Sequence, residues 1–199
     1  MQPQPKPLLV APTPLLNSSL LLSTTLSEAL LSQPTNMDSL VYLQVLRIIR
    51  SSGQEVDDLV FRYFRGVHTS IPIVSYYRFF NTLHECQPPS ASFSVLLLSM
   101  CLATHHPMLI QNATMIKTES LYSATKAFYA QAQASLPLSL SIIQAGVIIA
   151  LFEFSSDRVH EAFASIGNCA RLGYTARLHL AQAGEEEANT WWGIIICER

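Results

Sequence analysis

The sequence predicts an all-α protein, a compact bundle of about seven or eight helices that follows a disordered N-terminal tail. From Asp38 onward, apolar residues recur at the three- and four-residue spacing of an α-helix. Ser92–Thr104 is almost entirely apolar, which is typical of a helix surrounded by other helices. No stretch alternates apolar and polar side chains for long enough to predict a strand. Helices joined by short connections are therefore expected.

Residues 1–36 differ in composition from the rest of the chain. Six of the 11 prolines lie there, and Lys6 and Glu28 are its only charged residues. Proline fixes φ and removes a backbone donor, so the first fourteen residues cannot join a regular packed element. We predict a flexible tail or linker remnant over 1–36 and a helical domain over 37–199.

The first half of the domain is divided by glycine and proline. Asn36 or Asp38 can cap a first helix that Gly53 ends. Asp57 and Asp58 begin a second helix, where carboxylates favour the positive end of the helix dipole. An extended elbow is expected at Ile71–Ile73, because Pro72 excludes its predecessor from the α region. The predicted helices cover 38–51, 56–67, 76–85 and 92–104, and the inward residues of the first are Leu40, Val41, Leu43, Leu46 and Ile49.

The second half of the domain keeps the same helical spacing of apolar residues. Pro107 and Pro137 separate neighbouring helices, and Gly184 precedes three glutamates that suit the first turn of a last helix. The predicted helices cover 118–135, 139–154, 157–180 and 185–199. The end of that last helix is apolar around Trp191 and Trp192, and no capping glycine follows it. We therefore expect that the chain is truncated from a longer polypeptide.

The composition excludes several classes of protein. Charged residues make up 13% of the chain, against about 25% in typical soluble domains, and the formal net charge is −2. This balance provides no basic surface for nucleic acid. The longest apolar stretch, Ile142–Phe152, is far shorter than the roughly 20 residues that cross a bilayer. We expect a soluble protein inside the cell with no membrane partner.

The cysteines indicate neither a zinc site nor a disulfide framework. Zinc sites usually need thiolates in close pairs such as C-x2-C, whereas the closest pair here is Cys86 and Cys101. We predict that all four cysteines, which also include Cys169 and Cys197, are small buried hydrophobic residues.

Candidates for catalysis or metal binding are weak. Asp57-Asp58 resembles the aspartate-rich run of terpene cyclases, but no third carboxylate follows one turn later to hold magnesium. His105 and His106 are adjacent, so their side chains point about 100° apart on a helix and cannot chelate one ion. No nucleophile elbow, phosphate loop or dinucleotide motif occurs. We predict no catalytic, cofactor or metal residue and no enzyme.

The predicted helix over 157–180 is rich in small residues, which allow neighbouring helices to approach closely. Its predicted inner face combines two sets: the small Ala162, Ala164, Gly167, Ala170, Gly173 and Ala176, and the apolar Phe163, Ile166, Leu172 and Leu178. We interpret it as a central packing helix with its arginines in ion pairs.

At this helix the sequence resembles a known family, the regulatory middle-homology domain of fungal binuclear zinc-cluster (six-cysteine) transcription factors. The resembling segments are Tyr63–Val74, Ala150–Phe154, Ala162–Leu180 and Glu186–Arg199, which together extend over about residues 55–199. Within them, the residues that match the family motifs are Gly167, Arg171, His179, Trp191, Trp192 and Arg199, to which we assign structural roles.

The resemblance implies a regulatory domain that restrains or relays a DNA-binding module in the nucleus. The six-cysteine zinc cluster that carries DNA and zinc binding in the family is absent, so the resemblance implies DNA contact only through a missing module and no zinc in this chain. The candidate partners under this resemblance are a second copy of this chain, the transcription machinery and a small-molecule effector. The alternatives are an all-α enzyme of terpene-cyclase type and a standalone helical adaptor that titrates a full-length regulator.

Overall fold

The computed structural model describes residues 37–86, 88–105, 116–180 and 182–199, and the predicted tail at 1–36 lies outside them. Over the described residues the fold is helical, as predicted, with eight helices of ten or more residues and one single turn. They are α1 (Met37–Ser51), α2 (Val56–Arg65), the turn α3 (Val67–Ser70), α4 (Tyr76–Glu85), α5 (Ala91–Ala103), α6 (Thr118–Ser135), α7 (Leu140–Ser155), α8 (Val159–Thr175) and α9 (Glu185–Glu198).

Two nearly all-apolar helices, α5 and α7, form the centre of the bundle and pack against each other. α1 and α6 also contact α5, and α8 covers the other side of α7. Nearly every side chain of α5 and the first two thirds of α7 are buried. This position explains why neither helix has a polar face, because a helix that is apolar all round must be enclosed.

Local signals fix most of the helix ends. The hydroxyls of Ser90 and Ser139 accept hydrogen bonds from backbone N–H groups of α5 and α7, at 3.2 and 3.4 Å. Gly53 has φ of 74° just after α1, a backbone conformation that glycine adopts without a steric penalty. Of the two predicted caps of α1, Asn36 lies outside the described residues and Asp38 lies inside the first turn. The Asp38 carboxylate accepts from the backbone N–H of Ala91 at 2.7 Å and so joins α1 to the start of α5.

Five predicted orientations are wrong. In α1, Leu43 is 62% exposed and Leu40 also faces outward, whereas Val45 and Ile49 enter the core. In the predicted helix over 157–180, Phe163 is 73% exposed, and Ala164 and Ala176 are exposed as well. Residues of the predicted inner faces point outward because each helix has more apolar positions than one neighbour can cover.

Two further expectations need correction. α8 ends at Thr175 rather than near Leu180, because Arg177 takes φ of 59° in a turn that brings Leu178 back into the core. Cys86 is exposed after α4, whereas Cys101 and Cys169 are buried as predicted and Cys197 is half-buried. His105 lies two residues after the end of α5 and is buried, while His106 lies outside the described residues.

Candidate functional site

A largely buried carboxylate, that of Glu186, joins the elbow before α4 to the start of α9. One oxygen of Glu186, Oε1, accepts from the backbone N–H of Ser75 at 2.8 Å and from the side-chain amide of Gln144 at 3.0 Å. The other oxygen accepts from the guanidinium of Arg78 at 2.8 Å. The Glu186 side chain is 11% exposed. Three separate elements thus meet on one charged group.

The carbonyl oxygen of Ile73 completes this network. It accepts from the Gln144 side-chain amide at 2.7 Å and from the Thr190 hydroxyl at 3.1 Å. Gln144 and Thr190 are buried, so their polar groups need protein partners in place of water. The Thr190 hydroxyl has a second acceptor in the backbone carbonyl of Glu186, at 2.8 Å. We call this network the polar junction; its members are Ile73, Ser75, Arg78, Gln144, Glu186 and Thr190.

The sequence around the polar junction explains its geometry. Pro72 lies in the extended segment that turns the chain between α3 and α4 and presents the Ile73 carbonyl. α9 approaches this segment closely at Gly193, where a Cβ atom would lie 2.5 Å from Cγ2 of Ile73. The hydroxyl of Ser75 caps α4 by accepting from the backbone N–H of Arg78 at 3.4 Å.

The two charged side chains of the polar junction differ in exposure: Glu186 is largely shielded from water and Arg78 is not. The Arg78 side chain is 61% exposed, and its guanidinium Nη1 also lies 3.4 Å from Oε1 of Glu187. The hydrogen bond with Glu186 and the charge of that carboxylate raise the pKa of Arg78, so the guanidinium stays charged. Because exposed ion pairs contribute little, the partly buried hydrogen bonds of Glu186 to Ser75 and Gln144 supply most of the stabilisation.

A cleft of about 520 Å³ opens beside the polar junction. It is lined by residues of α3, the elbow, the start of α4 and the start of α9, among them His68, Pro72, Tyr76, Arg78, Gly184 and Glu187. Partial burial lowers the pKa of His68, which favours a neutral imidazole at its wall. The elbow with the α4 start and the α9 start, which Glu186 joins, form two sides of the cleft.

An aromatic cluster lies one turn further along α9. The ring of Trp191 packs edge-on against Tyr174 at 4.9 Å between centroids, and His179 lies 4.9 Å from Tyr174 and 5.8 Å from Trp191. Gly173 makes room for the indole, because a Cβ there would lie 3.1 Å from Cζ3 of Trp191. The turn at Arg177 folds His179 back over these rings.

The six residues that carry the family motifs do not form one site. His179 and Trp191 meet in the aromatic cluster. Trp192, by contrast, is 62% exposed, and Gly167 and Arg171 lie one turn apart on α8, where Arg171 is exposed. Arg199 is exposed at the end of α9.

Sequence reasoning missed the main partners of the polar junction. From the sequence, Glu186 is only a favourable charge in the first turn of a helix, and Gln144 lies within the apolar stretch Ile142–Phe152. A polar side chain in the middle of an otherwise apolar helix is itself a signal, since a buried amide needs partners from another segment.

A second buried charge lies between α6, α7 and α8. Glu153 is fully buried, and its Oε1 accepts from the ammonium of Lys126 at 2.8 Å and from the hydroxyl of Tyr122 at 2.7 Å. The ammonium also donates to the hydroxyl of Ser165 at 3.0 Å. This ion pair fixes the relative positions of three helices.

The described residues contain no group of three or more His, Cys, Asp or Glu side chains that could hold a metal ion. Asp57 and Asp58 are exposed in the first turn of α2, as predicted for residues that act on the helix dipole. Over the same ranges, none of the helices combines the length and apolar character required to cross a bilayer. The polar junction and the Glu153–Lys126 ion pair can hold helices together when their contacts are formed and release them when these contacts break.

Comparison with known proteins adds three findings. A family model described as the fungal specific transcription factor domain matches residues 60–194, more than half of the chain. Transcription factor BOA15 of Botryotinia fuckeliana (strain B05.10) is 26% identical over 135 residues, which is 68% of this chain and 74% of that protein. No solved structure gives a significant match.

Proposed function

Since this chain belongs to the fungal specific transcription factor domain family and has its regulatory role, we propose that it exerts this control through the polar junction. In one state the elbow before α4 and the start of α9 are held together by Glu186. In the other state these hydrogen bonds are broken and the two segments separate. A DNA-reading module elsewhere responds to the difference, so that regulation is a shift between two arrangements of helices.

The observation that supports this proposal is the chemical nature of the contact. Glu186 connects the two segments through directional hydrogen bonds to Ser75 and Gln144. Such bonds contribute about 1.5–3 kcal/mol each when one partner is charged. Loss of one such hydrogen bond is enough to change the equilibrium constant between two states by roughly tenfold or more.

We further propose that the chain acts in the nucleus, catalyses no reaction and leaves DNA contact to another module. The near-balanced charge supports this assignment, because the counterion release that drives DNA binding requires clustered Lys and Arg. The relatedness to a protein named as a transcription factor supports nuclear action. Zinc, which the family uses in its DNA-reading cluster, would bind there.

The cleft beside the polar junction is a suitable place for a small-molecule effector. Its volume of about 520 Å³ falls within the range of roughly 300–1,000 Å³ typical of ligand pockets. A ligand that contacts Tyr76 on one side and Glu187 on the other would favour the closed arrangement, because it would bind the two segments only when they are together.

A reporter assay tests the role of the polar junction. The full chain is fused to a heterologous DNA-binding domain in a fungal host whose reporter gene carries the matching binding sites. We expect the wild-type fusion and a Glu186→Gln fusion to give different reporter output at equal protein level. Glu185→Gln is the matched control, since Glu185 is the exposed neighbour of Glu186, and should match wild type.

Two outcomes would contradict the proposal. Equal reporter output from wild type and the Glu186→Gln fusion would show that the polar junction has no part in regulation. In a separate fluorescence-anisotropy titration, tight and sequence-selective binding of the purified chain to duplex DNA at physiological salt would contradict the assignment of DNA contact to another module.

A further inference from the structure

A second cleft lies where the end of α2 meets the end of α5. Its volume is about 320 Å³, at the lower end of the range typical of small-molecule sites. The residues described as lining it are different from those that line the cleft beside the polar junction. We call it the α2–α5 cleft, and its lining includes Phe61, Arg62, Arg65, Val67, Ala103 and Thr104.

The charged side chains that line the α2–α5 cleft are two arginines, and no Asp or Glu is among its described lining residues. Within the described ranges, neither Arg62 nor Arg65 forms an ion pair. Residues 106–115, which come shortly after α5 in the chain, include no acidic residue in their sequence. Two positive charges therefore share a cleft in which the described part of the chain provides no counter-charge.

The guanidinium of Arg62 is held in place by a buried amide. Its Nη2 donates to Oε1 of Gln54, and the same oxygen accepts from the Thr104 hydroxyl at 3.2 Å. The side-chain amide of Gln54 donates in turn to the backbone carbonyl of Cys101 at 3.0 Å. Gln54 is 5% exposed, so these hydrogen bonds are protected from water. Arg62 is thus fixed against the end of α5 before any ligand arrives.

One N–H group of this guanidinium has no acceptor. Nε of Arg62 is buried and makes no hydrogen bond to the residues that the structure describes. Buried donors normally have a partner, so an unpartnered one needs an explanation. A ligand with an anionic oxygen atom would supply the missing acceptor.

The second arginine is available to the same ligand. Arg65 is exposed, and its guanidinium carbon lies 5.1 Å from the centroid of the Phe61 ring. This stacking restricts the guanidinium without using its N–H groups. Phe61 itself is 60% exposed, and Val67 and Ala103 are half-buried. The α2–α5 cleft therefore combines two guanidinium groups with an apolar wall.

We propose that the α2–α5 cleft binds an organic monocarboxylate with an apolar body, such as a medium-chain fatty acid. The carboxylate accepts from Nε of Arg62 and from the guanidinium of Arg65, while the apolar body covers Phe61, Val67 and Ala103. Guanidinium groups suit this ligand because their planar donors match the two oxygens of a carboxylate. The site does not rest on the function proposed for the polar junction.

Isothermal titration calorimetry of the full 199-residue chain with octanoate tests the proposal. We expect one site with a Kd below about 1 mM. Two other probes carry only half of the chemistry: 1-octanol has the apolar body without the charge, and inorganic phosphate has the charge without the apolar body. Each should bind at least about tenfold more weakly than octanoate.

Arg65→Gln should raise the Kd for octanoate at least about tenfold, because it removes one of the two guanidinium groups. Arg50→Gln is the matched control, since Arg50 is an exposed arginine in the last turn of α1 and does not line the cleft. It removes the same charge from a helix end and should leave the Kd within about threefold of wild type.

A variant that fills the cleft tests its location without changing any charge. Ala103→Phe places a phenyl ring at the apolar wall and should weaken octanoate binding at least about tenfold. Circular dichroism and melting temperature show whether each variant is folded. Arg65→Gln changes an exposed side chain and should match wild type in both, so it keeps the test valid if Ala103→Phe does not fold.

The failure of this proposal is distinguishable from the failure of the proposed function. Glu186→Gln should bind octanoate within about threefold of wild type, because Glu186 does not line the α2–α5 cleft. Three calorimetric results would overturn the proposal: no octanoate binding at about ten times the expected limit of Kd, equal affinity for octanoate and 1-octanol, or equal affinity of Arg65→Gln and wild type.

Photolabelling identifies the site directly. A fatty acid with a diazirine at the end of its chain is irradiated with the wild-type protein, and the labelled peptides are identified by mass spectrometry. Labels on residues 61–67 or 100–104 that excess octanoate prevents would support the proposal. Labels confined to other parts of the chain would overturn it, because the carboxylate would then bind elsewhere.

Discussion

Glu186 and Ser75 are 111 positions apart in the chain, yet the carboxylate of Glu186 accepts the backbone N–H of Ser75 at 2.8 Å. This hydrogen bond connects the start of the last helix to the elbow after α3. The same oxygen accepts from Gln144, so one carboxylate positions three segments that are remote in sequence. Its hydrogen bonds therefore bear on stability as well as on regulation.

Glu186→Gln should lower the free energy of unfolding by about 1.5–3 kcal/mol. The neutral amide loses the charge that Arg78 and Ser75 face, and it brings its own donors toward the donors of Gln144. Urea unfolding followed by circular dichroism measures the loss. Glu185→Gln should stay within about 0.5 kcal/mol of wild type, and equal effects of the two variants would contradict the geometry of the polar junction.

Two glycines should respond to alanine with opposite signs. Gly193→Ala places a Cβ atom 2.5 Å from Cγ2 of the buried Ile73, so overpacking should cost about 1–2 kcal/mol even after the gain in helix propensity. Gly167→Ala meets only Nη1 of Arg171, at 3.9 Å, and should stabilise the protein by about 0.5–1 kcal/mol. Thermal or urea unfolding of both variants gives the comparison. Stabilisation by Gly193→Ala would show that α9 lies further from the elbow.

Lys126→Met should destabilise the protein strongly, because it leaves Glu153 buried without its counter-charge. We expect a loss of about 2–4 kcal/mol in urea unfolding, somewhat below the cost of breaking a completely buried pair, since Lys126 is partly exposed. The double variant Lys126→Met/Glu153→Leu should recover most of this loss because it removes both charges.

Lys117→Met is the matched control for that series. Lys117 is exposed before α6 and should tolerate the change to within about 0.5 kcal/mol. A double variant less stable than Lys126→Met alone would argue against the ion pair as the source of the effect.

The two adjacent tryptophans should behave differently. Trp191→Ala removes the ring that packs on Tyr174 and His179 and should cost about 2–4 kcal/mol. Trp192→Ala should change stability by about 0.5 kcal/mol or less because its side chain is 62% exposed. Iodide should correspondingly quench the fluorescence of Trp192 more than that of Trp191, measured in the single-tryptophan variants Trp191→Phe and Trp192→Phe.

Cysteine labelling tests the packing of the central helices. Burial raises the pKa of Cys101 to about 11 and that of Cys169 to about 12, so at pH 8 both thiols are protonated as well as inaccessible. A maleimide should label the exposed Cys86 first and Cys197, whose pKa burial also raises, more slowly. Cys101 and Cys169 should react only after unfolding.

Mass spectrometry of peptides identifies the labelled sites, and Cys86→Ser should remove the fast phase. Since the reactive thiolate forms as pH rises toward the pKa, slow labelling of Cys197 should accelerate with pH. Native-state labelling of Cys101 at the rate of Cys86 would contradict the enclosed position of α5.

The helices themselves were predictable because their limits are local. Pro137 and the Ser139 hydroxyl fix the start of α7, and Tyr76–Glu85 and Thr118–Ser135 have the predicted limits. These ends depend on proline sterics and side-chain caps that act within a few residues. The family resemblance was likewise contained in short motifs, and the family match over residues 60–194 confirmed it.

The orientation of the helices and the partners of Glu186 were decided by the tertiary structure. Apolar positions around Leu43 and Phe163 outnumber those that a neighbour can cover, so periodicity does not specify which of them face the core. Glu186 meets Ser75 only because the chain folds back over more than a hundred residues, and no local rule encodes that return. Sequence spacing determined which segments are helical; the packing of α5 and α7 determined which side chains meet.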